Sequence, residues 1–464
     1  LPFSSDKTSI QMRSETKKPL SIYLETLGCS KNRVDSEIMS GSLLKSRLVI
    51  VDRPEAAEII ILNTCGFIAS AVAESIERLL ALAEFKKTGN CEKLVVAGCL
   101  SERYREGLLK EVPEIDGLIG TSDYTKIFDS IQNLLGSSRV ESFLSDTPNY
   151  SVNNYLAERA LSTKGGYAYL KIAEGCSNLC SFCNIPKLRG GFRSRPLESV
   201  LNELDSLLKK GVREINLISQ DTSSYGIEGD GKTNLYSLTE AILKSTTDDF
   251  WLRIFYSYPN RYPQKLFGLM RKDLRLVPYI DMPFQHFSDP VLKRMKRHLT
   301  EDQIKKIIDK AFQANGELTL RTTLMVGFPG ETEKDFQKLL DWVEKGLFRH
   351  LGVFVYSDED NIEASGFKNK IPEKIKQQRR RLLMKAQQRI SKNKNRSLVG
   401  QTLKILIEGY SEETELLLTG RTRFQAPEVD GAVLISEGEA KAGEFHQVLI
   451  TQAHPYDLVG KIVN

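Results

Sequence analysis

Over residues 21–135, short and continuously apolar runs alternate with stretches in which apolar residues recur every three or four positions. "SIYLETLG", "EIIILNTCGF" and "KLVVAGCL" read as strands, and residues 72–85 between them read as a helix. Strands apolar on both faces and separated by helices predict a parallel sheet covered on both sides, a domain over residues 20–136. The stretch "GSSRVESFLSDTPNYSVNN" is polar, aperiodic and turn-rich, so residues 137–165 read as a linker.

From residue 166 the alternation resumes. "YAYLKIAE", "EINLIS", "LRIFYS", "YIDMPF", "LTLRTTLMVGF" and "LGVFVYS" read as strands separated by helical stretches. One such stretch carries Leu197, Val200, Leu201, Leu204 and Leu208 as a stripe ended by Gly211. This succession of βα units over residues 166–367 predicts a barrel or part-barrel with its chemistry at the C-terminal strand ends. Residues 372–395 read as one helix with Ile375, Leu382, Leu383, Ala386 and Ile390 on one face. Short strands spaced by Gly- and Glu-rich turns then predict a small antiparallel β-barrel over residues 397–464.

The chain has 464 residues, which implies two or three cores rather than one. The first twenty residues contain no apolar signal core, and no apolar run approaches the roughly 18 residues of a membrane span, so a cytoplasmic protein without membrane contact is expected. The net charge of +5 is unevenly spread. Residues 368–396 hold twelve Lys/Arg against the single acid Glu373, whereas residues 397–464 hold five Lys/Arg against ten Asp/Glu. A basic linker helix thus leads into an acidic domain. The helix is read either as a solvated face or as a contact for RNA.

Seven cysteines in a chain without an export signal point to metal binding or catalysis rather than disulfides. Cys176, Cys180 and Cys183 form C-x₃-C-x₂-C just after the first strand of the second domain. A closed zinc site needs a fourth ligand, and the next His or Cys downstream is the distant His286. Three thiolates on a four-iron cluster instead leave one iron open, able to hold a small chelating molecule and pass it an electron. Cys29, Cys65 and Cys99 each end an apolar strand, the edge where open parallel sheets place ligands; simple burial is the alternative reading. Cys91, in the turn "TGNCEK", is read as structural.

The C-x₃-C-x₂-C motif with Phe182 before its third cysteine resembles the radical S-adenosylmethionine superfamily. With both triads in this order, the chain from about residue 20 onward resembles the methylthiotransferases. The segments that carry the likeness are "ETLGCSKNRVDSE", "IPKLRGGFRSRP", "LISQDTSSYG", "DMPFQH" and "MVGFPGET". The resemblance implies a flavodoxin-like first domain, a central radical S-adenosylmethionine (β/α) barrel and a TRAM-type, OB-like third domain. It also implies two 4Fe-4S clusters and S-adenosylmethionine as cofactors. Cys176, Cys180 and Cys183 would hold the radical-generating cluster, and Cys29, Cys65 and Cys99 a second cluster that binds the sulfur to be inserted. Phe182, Gln220, Asp221, Gln285, Arg321, Gly327 and Phe328 fall where relatives contact S-adenosylmethionine. His286 is weighed as a proton carrier, and no catalytic acid or base is assigned.

Two branches of that family differ after the first cysteine. The tRNA-adenosine-modifying branch reads Gln-Met-Asn there, whereas this chain has Ser30, Lys31 and Asn32. "ISQDTSSYG" and "PFQH" are similar to the RimO-type branch, which methylthiolates the β-carbon of an aspartate in small-subunit ribosomal protein number twelve. The implied partners are that protein, free or within the ribosomal subunit, and an electron donor. Charge agrees independently, because a barrel gripping RNA should be basic, while an acidic one suits a basic protein. A tRNA adenosine methylthiotransferase and a non-catalytic RNA- or ribosome-binding protein with a structural metal are the alternatives.

Overall fold

The computed structural model describes residues 19–45, 48–137, 140–145, 159–163, 165–229 and 231–463. Its first sheet is built from β1 (Leu20–Thr26), β2 (Leu48–Ile50), β3 (Ile59–Thr64), β4 (Lys93–Gly98), β5 (Gly117–Ile119) and β6 (Glu141–Phe143). The order is β2-β1-β3-β4-β5-β6, and every neighbouring pair is parallel. Successive side chains of β3 leave on opposite faces. Ile59 and Ile61 pack with α1 (Ser30–Leu44), while Ile60 and Leu62 pack with α2 (Ala69–Ala83). Helices α3 (Phe85–Thr88), α4 (Cys99–Tyr104), α5 (Glu106–Glu111) and α6 (Ile127–Gly136) complete this flavodoxin-like layer.

The stretch expected as a linker contributes a strand: β6 lies parallel to β5 at the sheet edge, and Ser145 donates its hydroxyl to Asp123 at 2.8 Å. Residues 138–139, 146–158 and 164 of that stretch lie outside the described residues.

Strand β7 (Tyr167–Lys171) opens the central part. A small antiparallel pair follows, β8 (Ala173–Glu174) with β9 (Arg193–Ser194), flanking α7 (Ile185–Arg189). Then come α8 (Leu197–Lys209), β10 (Glu214–Ile218), α9 (Leu235–Ser245), β11 (Trp251–Ile254), α10 (Lys265–Lys272), β12 (Leu276–Asp281), α11 (Asp289–Arg294), α12 (Glu301–Ala314), β13 (Thr319–Val326), α13 (Glu333–Glu344) and β14 (His350–Val355). The sheet runs β7-β10-β11-β12-β13-β14 with parallel neighbours throughout. Among the described residues its edge strands do not pair with each other, so the expected barrel is an open part-barrel. Ala168, Leu170, Ile215, Leu217, Leu252 and Ile254 face the covering helices.

The inner face of this sheet is aromatic and charged, and it is buried because the other two parts cover it. One apolar cluster runs from α1 and α6 through Tyr167, Tyr169, Phe255 and Tyr279 to Leu406 and Ala426. The last part is a closed five-stranded barrel of β15 (Thr402–Tyr410), β16 (Leu418–Thr422), β17 (Val433–Glu437), β18 (Phe445–Ala453) and β19 (Leu458–Ile462). It is antiparallel except that β17 and β19 run parallel, a departure from the purely antiparallel expectation.

The β16–β17 connection plugs the N-terminal ends of the central strands. Glu428 accepts from Tyr167 and Tyr169 at 2.8 and 3.1 Å, and Asp430 accepts from Tyr279 at 2.7 Å. Fully buried Glu214 pairs with Arg253 at 2.8 Å and with Arg421 of β16 at 2.7 Å.

The basic helix is α14 (Glu373–Arg396). Leu383 and Ala386 are buried as the pattern requires, but Ile375 and Leu382 are exposed. Lys376, Arg379 and Gln387 are turned inward instead. Arg379 pairs with Glu331 at 2.7 Å, and Lys376 donates to the Tyr356 carbonyl at 3.0 Å. A long cationic side chain can pack its stem and still satisfy its head, so a hydropathy stripe misplaces this face.

Breaking a buried ion pair on one side leaves an uncompensated charge out of water. Glu214→Ala, which strands Arg253 and leaves Arg421 with Glu408 alone, is expected to lower stability against urea by about 3–5 kcal/mol. Lys209→Ala, which removes an exposed pair with Asp205, should change it by less than about 1 kcal/mol.

Candidate active site

Strands β1, β3 and β4 are neighbours, and each leads into a cysteine: Cys29, three residues past β1, caps α1, Cys65 directly follows β3, and Cys99 directly follows β4 and opens α4. The order of the sheet reverses between β1 and β3, which creates a crevice at their C-terminal ends. Gly28 has φ +93, and a Cβ there would stand 2.8 Å from the Cβ of Cys65, so glycine lets the two cysteine loops meet.

Cys29 is exposed as a residue, Cys65 is half-buried and Cys99 is buried. Crowding of the Cys29 thiol raises its pKa, but Lys31, Arg189 and the N–H groups of Asn32 and Lys31 outweigh that and hold it below the ordinary thiol range. Burial pushes Cys65 up, and it pushes Cys99 to about 12 against the pull of Arg189. Cys91 stands before the other end of β4, in the apolar core, with its thiol pushed up to about 11 by burial. The structure therefore separates it from the triad.

The central triad lies on the loop after β8. Gly175 has φ +73, and a Cβ there would come within 2.1 Å of the Gly191 carbonyl oxygen, which explains the small residues on both sides of this loop. The Cys176 N–H donates to the Gly190 carbonyl at 3.1 Å, and the Cys183 N–H donates to the Cys180 carbonyl at 3.1 Å. The Asn178 N–H reaches the Cys176 sulfur at 3.4 Å, and Arg297 approaches the Cys180 sulfur at 3.8 Å. Burial pushes Cys176 up to about 11 and raises Cys183 as well. Metal coordination would remove the protons of such thiols outright.

Of the expected cofactor residues, Phe182 and Phe328 are brought together edge to face, with ring centroids 6.5 Å apart. Gly327 lies beside Lys376, and Glu331 holds the turn by accepting from the Gly327 and Phe328 N–H groups at 2.7 and 3.3 Å. Gln220 donates to Glu174 at 2.8 Å, while its Oε1 is buried without a protein partner. Gln285 takes a positive φ of 70° beside β13.

Asp221 lies just past β10. Its buried carboxylate accepts from Asn178 at 2.7 Å, from Ser224 at 2.7 Å and from Ser223 at 2.5 Å, so it braces the cysteine loop. Arg321 pairs with Asp281 at 2.9 Å and approaches Asp430 of the plug at 3.6 Å. His286 is fully buried and accepts from the Ser288 N–H at 2.9 Å, and burial pushes its pKa down to about 3.

Sequence reasoning missed the group that joins the two triads. Arg189, at the end of α7, donates to Glu174 at 3.1 Å, to Asp35 at 3.0 Å and to Asn32 at 2.5 Å. Lys171 of β7 pairs with Asp35 and, at 2.8 Å, with Glu174. All four charged groups are buried. Burial alone would raise Glu174 and lower Arg189, but Lys171 and Arg189 pull Glu174 down, while Glu174, Cys99 and Asp35 hold Arg189 up, so both stay charged. Glu174 is two residues before Cys176, and Asn32 is three residues after Cys29. The available signal was a lysine and a glutamate within an otherwise apolar strand.

Two all-cysteine donor sets with no histidine suit iron–sulfur clusters, in which three thiolates leave an iron open. Among the described residues, no three His, Cys, Asp or Glu side chains are gathered to hold a metal ion. The partnerless Gln220 Oε1, beside the Cys176 loop, offers an acceptor to whatever fills the space.

Three family models cover most of the chain. Residues 21–120 match the uncharacterized protein family UPF0004, residues 170–343 the radical SAM superfamily, and residues 399–463 the TRAM domain. The ribosomal protein uS12 methylthiotransferase RimO of Geobacter sulfurreducens is 45% identical over 96% of this chain and 98% of that protein. The protein of the same name from Myxococcus xanthus is 43% identical over 97% of this chain and 93% of its own length. In fold, the chain is similar to the radical S-adenosylmethionine methyltransferase TsrM of Kitasatospora setae, solved with cobalamin and a [4Fe-4S] cluster. That likeness has a TM-score of 0.55 at 12% identity and covers 73% of this chain and 75% of that one. The radical SAM match implies a 4Fe-4S cluster and S-adenosylmethionine as cofactors. The chain thus belongs to the family of the ribosomal protein uS12 methylthiotransferases RimO, within the radical SAM superfamily.

Proposed function

We propose that the chain carries two 4Fe-4S clusters, on Cys176, Cys180, Cys183 and on Cys29, Cys65, Cys99, and uses them to methylthiolate the β-carbon of an aspartate in uS12. The observation that carries this reading is that Arg189 bonds both to Glu174, which leads into Cys176, and to Asn32 and Asp35, which follow Cys29, tying the segments of two three-thiol sets together. When bound, a three-thiolate cluster with S-adenosylmethionine on its open iron supplies the radical that removes a hydrogen from the substrate.

The chain's own residues bind and orient. Phe182 offers an aromatic wall for the adenine, backed by the fully buried Phe328, whose turn the Glu331 carboxylate holds. Gln220 Oε1 is a free acceptor next to the cysteine loop. Asp221 and Asn178 fix that loop, and Arg297 supports Cys180. One S-adenosylmethionine gives the methyl group and another the radical, and an electron donor is required.

Capture of uS12 falls to the last domain. Arg421, which could have met a phosphate, is buried and neutralised by Glu214 and Glu408. Glu412, Glu413 and Glu415 share a loop with Tyr410 and Leu416, which are 69% and 88% exposed. An acidic edge with exposed apolar groups suits a basic protein partner. Arg381, Lys385 and Lys392 of α14 remain exposed and are offered to ribosomal RNA beside the substrate. No helix among the described residues is long and apolar enough to cross a membrane, which fits the cytoplasmic location that ribosomal work demands.

The two triads should divide the labour. Changing Cys176, Cys180 and Cys183 to Ala is expected to abolish 5′-deoxyadenosine formation. Changing Cys29, Cys65 and Cys99 to Ala should spare reductive cleavage and stop methylthiolation. Iron per chain after anaerobic reconstitution should fall from about eight to about four in each, whereas Cys91→Ser should leave it unchanged. Normal uS12 modification by the N-terminal triple variant would refute the two-cluster reading.

Charge reversal tests capture. Glu412→Lys, Glu413→Lys and Glu415→Lys together should weaken uS12 binding most at low salt, since such charges are screened over about 8 Å at physiological ionic strength. Reductive cleavage should be unaffected. Unchanged uS12 binding across the salt range would exclude this surface.

A further inference from the structure

The C-terminal end of β14 reaches across to the first domain through one carboxylate. Glu359 is 5% exposed and accepts from the Ala69 N–H at 2.6 Å and from Arg103 Nη2 at 3.0 Å. Arg103 Nη1 in turn donates to the Gly66 carbonyl at 2.9 Å. Both members of the pair are buried, with side chains 7% and 5% exposed.

What these partners belong to gives the contact its meaning. Gly66 directly follows Cys65, and Ala69 opens α2 four residues after that cysteine. Arg103 lies on α4, whose first residue is Cys99. A single side chain of the central domain thus holds the segments that carry two of the three N-terminal thiols. The third, Cys29, precedes Asn32 and Asp35, which Arg189 of the same central domain holds from the other side. Every thiol of the first triad is tied to the domain that carries the second.

We propose that Glu359 is a positioning residue that sets where the N-terminal triad stands relative to the central one, so that sulfur transfer stays coupled to radical formation. This rests on the two-cluster reading. Reacting groups must be placed closely, and a displacement of about 1 Å can cost about 100-fold in rate. Glu359 touches neither triad, so its loss should displace the first triad without emptying either.

The test compares Glu359→Gln with wild type. The amide oxygen can still accept from Ala69, but the amide nitrogen then faces the Arg103 guanidinium as a second donor. The variant is expected to keep its full iron content and to form 5′-deoxyadenosine within about twofold of wild type, while methylthiolated uS12 falls about 100-fold. In the cluster-free protein, hydrogen exchange at the Ala69 amide should quicken. Glu359→Asp, which keeps the charge, should recover part of the product yield. A wild-type ratio of product to 5′-deoxyadenosine, or a parallel loss of both, overturns the assignment. The cysteine triple variants run alongside: if the N-terminal triple variant is inactive and Glu359→Gln is normal, only this inference fails, whereas an active triple variant sinks the reading beneath it.

Discussion

Lys171, Asp35, Glu174 and Arg189 meet out of water, and the placement of both thiol triads follows from how their charges cancel. Two cations and two anions leave the junction neutral, but each one depends on the rest. Removing one partner of a buried pair costs about 3–5 kcal/mol because the survivor cannot regain its hydration. The junction therefore works as a register device. The first domain settles on the part-barrel only where Asp35 meets both Lys171 and Arg189. In that register Asn32, just past Cys29, lies against Arg189, whose other contacts include the Glu174 that leads into Cys176.

The far end of the part-barrel obeys the same rule. An open sheet leaves a polar inner face that solvent would flood, and the last domain closes it at the N-terminal strand ends with Glu428, Asp430 and Arg421. Each inserted charge meets a partner already on the strands: Tyr167, Tyr169, Tyr279 or Glu214. The C-terminal strand ends are thereby kept for chemistry, as in closed barrels. The last domain is thus part of the enzyme's core.

The sequence was most legible where one physical pattern dominates. Continuous apolar runs marked the parallel strands and so placed Cys65 and Cys99 at their ends, where a buried sheet opens. Closure of the central sheet was not legible, since periodicity reports what a strand packs against and not whether its edges meet. Glu141–Phe143 escaped because an edge strand needs little apolar content to pair. The packing face of α14 was misplaced because Lys376 and Arg379 carry polar heads on apolar stems. The partners of Asp221 and Arg321, Asn178 and Asp430, come from distant segments and leave no mark in the local sequence. The charged junction and Glu359 stayed hidden for the same reason: pairing across domains leaves no local pattern.

The central claim is that the interdomain junction brings both triads to one shared site. Spin interaction between the clusters tests it most directly. The electron paramagnetic resonance spectrum of the dithionite-reduced, fully reconstituted protein is compared with the sum of spectra from the two cysteine triple variants. The account predicts a wild-type spectrum broadened and split beyond that sum, with faster spin relaxation. A spectrum equal to the sum, with both clusters reduced, would contradict it.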